Sequence, residues 1–146
     1  MISKFRDDYY FLSNFYPCEV KYGGLTYQCS EAAFQAQKFD DIEIKKKFTT
    51  MDGKKAKYNG SARAKLAPLR SDWDSVKNEI MIDVNVSKYT QNPNLMQKLL
   101  DTGDEYIEEG NVWRDTYWGV YNGNGKNVMG KILMVIRAHF KKEKLL

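Results

Sequence analysis

Ten residues, Ser30 to Phe39 (SEAAFQAQKF), constrain this chain more than any other stretch. They follow directly on CEVKYGGLTYQC, where two short alternating runs flank Gly23-Gly24 and predict a two-residue hairpin. Ser30 is the expected N-cap of an amphipathic helix, with Glu31 in its first turn. Glu31 and Lys38 are seven positions apart, which at about 3.6 residues per turn puts them on one face. Phe34 lies between them and Gln35 flanks it. An acid, an amide and an amine beside core aromatics are costly if they only fill space. Ionisable groups in partly apolar surroundings are where perturbed pKa values arise, so this helix is a candidate site. The competing reading is structural: Glu31 favours the helix dipole and Lys38 snorkels to solvent.

The rest of the chain reads as short helices and loops. Phe11 to Pro17 is extended and aromatic, with Asn14 and Pro17 turning it into a loop. A lysine-rich helix is expected up to about Thr50. KKAKYNGSARAKLAPLR then reads as two short pieces joined by a turn at Asn59-Gly60. Ser71-Asp72-Trp73 opens the longest helix, with Trp73, Val76, Ile80, Val84 and Ser87 at helical spacing. It should end near Asn92-Pro93, since proline disfavours helix in the residue before it. Another helix is expected from Asn94 to Asp101, then short strands in EYIEEGN and DTYWGVYN, and a last helix from Val128 to Phe140. The length of 146 residues fits one domain, 1–146, and the expected class is α+β, a single compact, mostly helical domain with a short N-terminal hairpin and short strands.

Composition removes several chemistries. The single histidine, His139, makes an HExxH zinc site impossible and leaves acid–base work to carboxylates, lysine or tyrosine. Cys18 and Cys29 are the only cysteines, with no CxxC pair for zinc, and fit a reducing cytosol. No stretch approaches the roughly 18 apolar residues of a membrane span and the N-terminus lacks a signal-peptide pattern, so the expected location is the cytoplasm, away from membranes. The formal net charge is +4, too small for a dedicated DNA-binding protein. The excess is uneven: between Lys45 and Arg70, nine Lys or Arg stand against one acid, Asp52. Such a run could face phosphates or simply be a solvated helix surface.

Two further patterns need weighing. Gly125 to Lys131 has the GxxxxGK spacing of a phosphate-binding loop, but Ile132 stands where that loop needs Ser or Thr for magnesium. Those glycines are read as the entry to the last helix. Asn111 to Gly119, NVWRDTYWG, packs Trp113, Arg114, Asp115 and Trp118 into one loop. Aromatics beside a carboxylate suit a ligand with a ring and hydroxyls; the alternative is an aspartate capping a turn while the tryptophans pack.

Six segments in order, FLSNFYP, SEAAFQAQKF, ARAKLAPLRSDWDSVKNEIM, LLDTGDEYIEEGN, RDTYWG and GKNVMGKILMVIR, make the chain resemble the YbiA-like, or NADAR, family from Phe11 to Arg137. The resemblance implies N-glycosidase activity on a ribosyl–nitrogen bond, with no cofactor and no metal. One branch of the family is associated with cleaving phosphoribosylated pyrimidine intermediates of riboflavin synthesis. Another is associated with removing ADP-ribose from modified nucleobases. The implied partner is therefore a small ribosyl phosphate or an ADP-ribosylated nucleobase, free or within nucleic acid. The alternatives are a non-catalytic ADP-ribose or nucleotide binder, and a nucleic-acid-binding protein using the basic segment.

By motif, the family's catalytic acid matches Glu31, its helix lysine Lys38 and its loop acid Asp115. Asn14 and Phe15 of SNF, Trp73 of SDW, and Asn111 and Trp118 of the loop are implied substrate contacts. Arg63 is the implied phosphate contact, with Lys57 and Arg70 as rivals, because NGSARAKLAP is an extra stretch around the family's usual Gly-Arg. Many members have a histidine after the glutamate and an aromatic one residue later; this chain has Ala32 and Ala33.

Overall fold

The hairpin forms where the glycine pair predicts it. β1 (Val20–Tyr22) and β2 (Leu25–Tyr27) pair antiparallel, Val20 opposite Tyr27, Lys21 opposite Thr26 and Tyr22 opposite Leu25. Gly23 and Gly24 take φ of 57° and 84°, the left-handed region that a side chain would strain. In the computed structural model, which describes residues 1–144, the chain groups into two compact units. One is Asn14–Pro93; the other joins Met1–Ser13 to the chain from Asn94 onward.

The first unit holds the hairpin and four helices: α1 (Ser30–Ala36), α2 (Ile42–Lys47), α3 (Gly53–Asn59) and α4 (Trp73–Gln91). Its core is Val20, Tyr27, Cys29, Ala32, Ala33, Ala36, Phe39, Phe48, Ala56 and Val84. α1 packs against α3 and α4, and three alanines on α1 are small enough to let those helices approach. Ala32 and Ala33 are completely buried. The basic segment is largely accounted for by helix chemistry. Asp41 and Asp52 cap α2 and α3 by accepting from Glu43 N–H (2.8 Å) and Lys55 N–H (2.9 Å). Lys45, Lys46 and Lys47 fall in the last turn of α2, where cations favour the dipole.

Helix α1 differs from expectation at both ends. Cys29, not Ser30, occupies the N-cap position, and Ser30 is the first helical residue. The reason is tertiary: the backbone carbonyl of Asn14 accepts the Glu31 N–H at 2.9 Å, so an amide of the first turn is satisfied from elsewhere in the chain. The helix stops at Ala36 rather than Phe39, and Lys38 and Phe39 donate back three residues in a tighter final turn. Arg70 takes over the free carbonyls, its N–H bonding Lys38 C=O at 2.8 Å. On α4 the fully buried residues are Met81, Val84, Asn85, Lys88 and Tyr89, so the apolar stripe expected through Val76, Ile80 and Ser87 is only partly buried and polar residues share the inner face.

In the second unit, Asp7–Leu12 forms a 3-10 helix where an extended segment was expected through Phe11 and Leu12. α5 spans Pro93–Asp101, one residue earlier than expected because proline suits the first helical position. α6 spans Val128–Lys144, four residues beyond Phe140. The strands expected in EYIEEGN and DTYWGVYN are reduced to single bridges, Ile2 to Ile107, Gly110 to Val120 and Tyr121 to Asn124. Buried Ile107, Leu133 and Ile136 belong to this unit's apolar interior.

Candidate active site

Glu31 and Lys38 lie where α1 meets α3, α4 and the loop between Asn14 and Pro17. Glu31 is 8% exposed although it carries a carboxylate. Its Oε1 accepts from Gln35 Nε2 at 2.9 Å, one helical turn on. Its backbone is fixed by Asn14, and Asn14 is itself fixed twice. Ser30 Oγ donates to Asn14 Oδ1 at 2.8 Å, and Asn85 Nδ2 from α4 donates to the same oxygen at 3.2 Å. All three residues are buried. The SNF loop is therefore tied to the start of the site helix by a polar network inside the unit.

Lys38 sits just past the helix end and is partly buried. Its Nζ donates to the Gly60 carbonyl at 3.1 Å and stands 5.8 Å from the Trp73 ring centroid. Burial lowers its pKa; the Glu31 carboxylate opposes that shift, and the Lys77 ammonium adds to it. Trp73 packs its ring against Phe34, centroids 5.0 Å apart and planes at 56°. Phe15 lies over Gly53, where an added Cβ would come within 2.8 Å of the ring. Thus Asn14, Phe15, Glu31, Lys38 and Trp73 are assembled in one unit. The thiol of Cys29, at the helix start, is pushed up to about 11 by burial, which keeps it from acting as a thiolate.

Of the phosphate-binding candidates, Arg63 is exposed in a 3-10 turn, Ala62–Ala64, three residues beyond the carbonyl that holds Lys38. Arg70 is already engaged by Asp72, with Nε to Oδ1 at 2.6 Å and Nη2 to Oδ2 at 2.9 Å. Lys57 is exposed on α3.

Asn111, Asp115 and Trp118 form a second cluster, within the other unit. Asp115 Oδ1 accepts from the N–H groups of Tyr117 (3.0 Å) and Trp118 (2.9 Å), a side-chain cap on the turn. Asn111 brackets the same loop, its Oδ1 accepting Asp115 N–H at 3.0 Å and its Nδ2 donating to Asp115 C=O at 2.9 Å. Trp118 is half-buried and meets Tyr117 edge-on at 4.9 Å, while Trp113 is 53% exposed.

Four participants escaped the sequence reading: Lys77, Asn85, Lys88 and Gly60. The signal for the first two was present, because Trp73, Lys77, Met81 and Asn85 recur every four residues on one face of α4. Lys88 has no exposed surface and lies 5.1 Å from the Tyr89 ring and 6.0 Å from that of Tyr16. Burial pushes its amine down to about 8. Gly60 carried no signal of its role. A shallow hollow of about 410 Å³ on the hairpin side, lined by Cys18, Glu19, Thr26, Tyr27, Gln28 and Thr49, contains none of the candidate residues. No group of three or more His, Cys, Asp or Glu among the described residues is placed to hold a metal ion. No helix among them is long and apolar enough to cross a membrane.

The NADAR domain profile matches residues 2–141. Over 140 residues the chain is 36% identical to N-glycosidase YbiA of Escherichia coli, covering 94% of this chain and 86% of that protein. The NMR structure of E. coli YbiA matches with a TM-score of 0.83 at 34% identity, covering 99% of this chain and 89% of that one. A riboflavin biosynthesis protein of Vibrio vulnificus is 35% identical over 132 residues, 90% of this chain, and the chain spans 35% of that protein's length. The ordered motifs and the full-length match agree: the chain belongs to the NADAR domain family, whose curated relatives include N-glycosidases, hydrolases of N-glycosyl compounds.

Proposed function

We propose that this chain hydrolyses a ribose C1′–N bond in a phosphoribosylated or ADP-ribosylated nucleobase. The observation that carries the reading is the pairing of a buried, backbone-anchored carboxylate, Glu31, with an amine of lowered pKa, Lys38, beneath the Trp73 ring. Breaking the C1′–N bond develops positive charge on the sugar, and a carboxylate held near C1′ stabilises it. Glu31 takes that part. A lysine whose pKa is lowered by burial and by a second ammonium is suited to attack C1′. In that step the Lys38 nitrogen bonds to C1′ and gives up a proton, and the base leaves with the electron pair of the broken C1′–N bond and takes a proton. The C1′–O4′ bond then breaks, O4′ taking a proton, and water hydrolyses the resulting iminium of the opened sugar to free Lys38. Trp73 and Phe15 offer faces for the base, and Arg63 a charge for the phosphate. Asn111, Asp115 and Trp118 enter through the family motif, with Asp115 gripping ribose hydroxyls.

The test is to incubate the protein with a panel of ribosylaminopyrimidine phosphates and ADP-ribosylated nucleobases and to score released base by chromatography. Release is expected for at least one, and Glu31→Gln should lower it by roughly 10²–10⁴-fold. Binding without release by the parent protein would instead mark a nucleotide-binding module. Undiminished release by Glu31→Gln would sink the assignment.

A further inference from the structure

Gln35 is 6% exposed, and its amide is used at one end only. Nε2 donates to Glu31 Oε1 at 2.9 Å, while Oε1 is buried with no hydrogen-bond partner. A buried carbonyl left unpaired is unfavourable, yet turning the amide over would set that oxygen against the Glu31 carboxylate, so the donating orientation is kept. Gly60 leaves the space that the amide occupies: a Cβ there would collide with Gln35 Oε1. Gly60 is also the residue whose carbonyl holds Lys38 Nζ, at 3.1 Å. One backbone position therefore leaves room for the amide beside Glu31 and anchors the amine.

We infer that Gln35 is a positioning residue that keeps Glu31 ionised and aimed, with Gly60 as the position whose missing side chain leaves room for the Gln35 amide to reach the carboxylate. This rests on the reading of Glu31 as the carboxylate that meets the sugar. An N–H donor favours the ionised form of a carboxylate over the protonated one. Being uncharged, the amide does so without neutralising the negative charge the oxocarbenium needs. The unpaired Oε1 is the cost of presenting only the donor end to Glu31. The glycine is required because any side chain at position 60 would push the amide away from the carboxylate.

Gln35→Met keeps length and volume but removes the donor. With a substrate from the panel, it should lower kcat roughly 10–100-fold, change KM less than about twofold, and move the acid limb of kcat to higher pH. Gly60→Ala should move the limb the same way, and the double variant should be no worse than Gln35→Met alone, because both changes act through one amide. A wild-type acid limb in both single variants, with Glu31→Gln inactive, would overturn the inference while leaving the proposed function standing. So would a uniform fall in kcat with no movement of the limb. If Glu31→Gln is fully active, the proposed function itself fails first. Should Gln35→Met not fold, the acid limb of Gly60→Ala decides alone.

Discussion

Asn85 on α4 donates its Nδ2 to Oδ1 of Asn14, 71 residues earlier in the chain, at 3.2 Å. Through that bond a helix packed behind the site fixes the loop whose carbonyl caps Glu31. Asn85 leaves its own Oδ1 buried and unpaired, so the bond to Asn14 is its main tertiary return. Asn85→Ala should lower unfolding free energy by about 1–3 kcal/mol, read by chemical denaturation. Catalysis should fall further than that loss of folded protein explains, because the Glu31 backbone loses part of its anchor. Equal stability and equal kcat in the variant would show that the network is idle.

As the proposed nucleophile, Lys38 would react only as the free amine. Its pKa lies below the ordinary lysine value, so the unprotonated fraction, and with it adduct formation, rises with pH and levels off earlier than for an exposed lysine. Borohydride trapping with substrate, followed by intact mass, should give an adduct that Lys38→Met lacks. Lys77→Met removes the neighbouring like charge, raises the Lys38 pKa and should shift the trapping profile to higher pH. The absence of any adduct, with turnover intact and falling as pH rises through the same range, would assign Lys38 a purely electrostatic part.

Lys88 links pH to stability. Its folded pKa of about 8 lies below the unfolded lysine value of 10.5, so between those limits the unfolded chain binds more protons than the folded one. The Lys88 contribution to stability is therefore smallest below pH 8 and grows as pH rises toward 10.5. Relative to Lys88→Met, the parent protein should gain on the order of 3 kcal/mol across that window. Comparing the two chains cancels the titration of groups they share. A constant difference between pH 8 and pH 10.5 in urea unfolding would show that Lys88 keeps its ordinary pKa.

Asp115 can be divided by chemistry. Asparagine still offers Oδ1 to the N–H groups of Tyr117 and Trp118, whereas alanine does not. Asp115→Ala should cost about 1 kcal/mol in stability, and Asp115→Asn little. If the negative charge grips substrate, Asp115→Asn lowers kcat/KM at unchanged melting temperature. If the residue only shapes the loop, Asp115→Asn keeps full activity.

Local sequence determined the local parts. Gly23-Gly24 fixed the hairpin because only glycine enters the left-handed region freely, and the periodicity around Trp73 with Pro93 bounded α4 within a residue or so. The ordered motifs pointed to the family, and the family match bears that out. Glu31 and Lys38 stood out because an acid and an amine seven positions apart are visible in one dimension, although the helix that carries Glu31 ends before Lys38.

What only the tertiary structure decided concerns partners distant in sequence. The cap of α1 comes from Asn14 rather than a serine, the space for the Gln35 amide comes from Gly60, and the like charge on Lys38 comes from Lys77. The strands expected near Tyr106 and Tyr117 shrank to bridges, since a strand persists only where a partner strand runs beside it, and that partner is chosen by packing. A hydrogen bond across 71 residues leaves no periodic trace, and burial, which sets the pKa of Lys38 and Lys88, belongs to the packed chain and not to any segment of it.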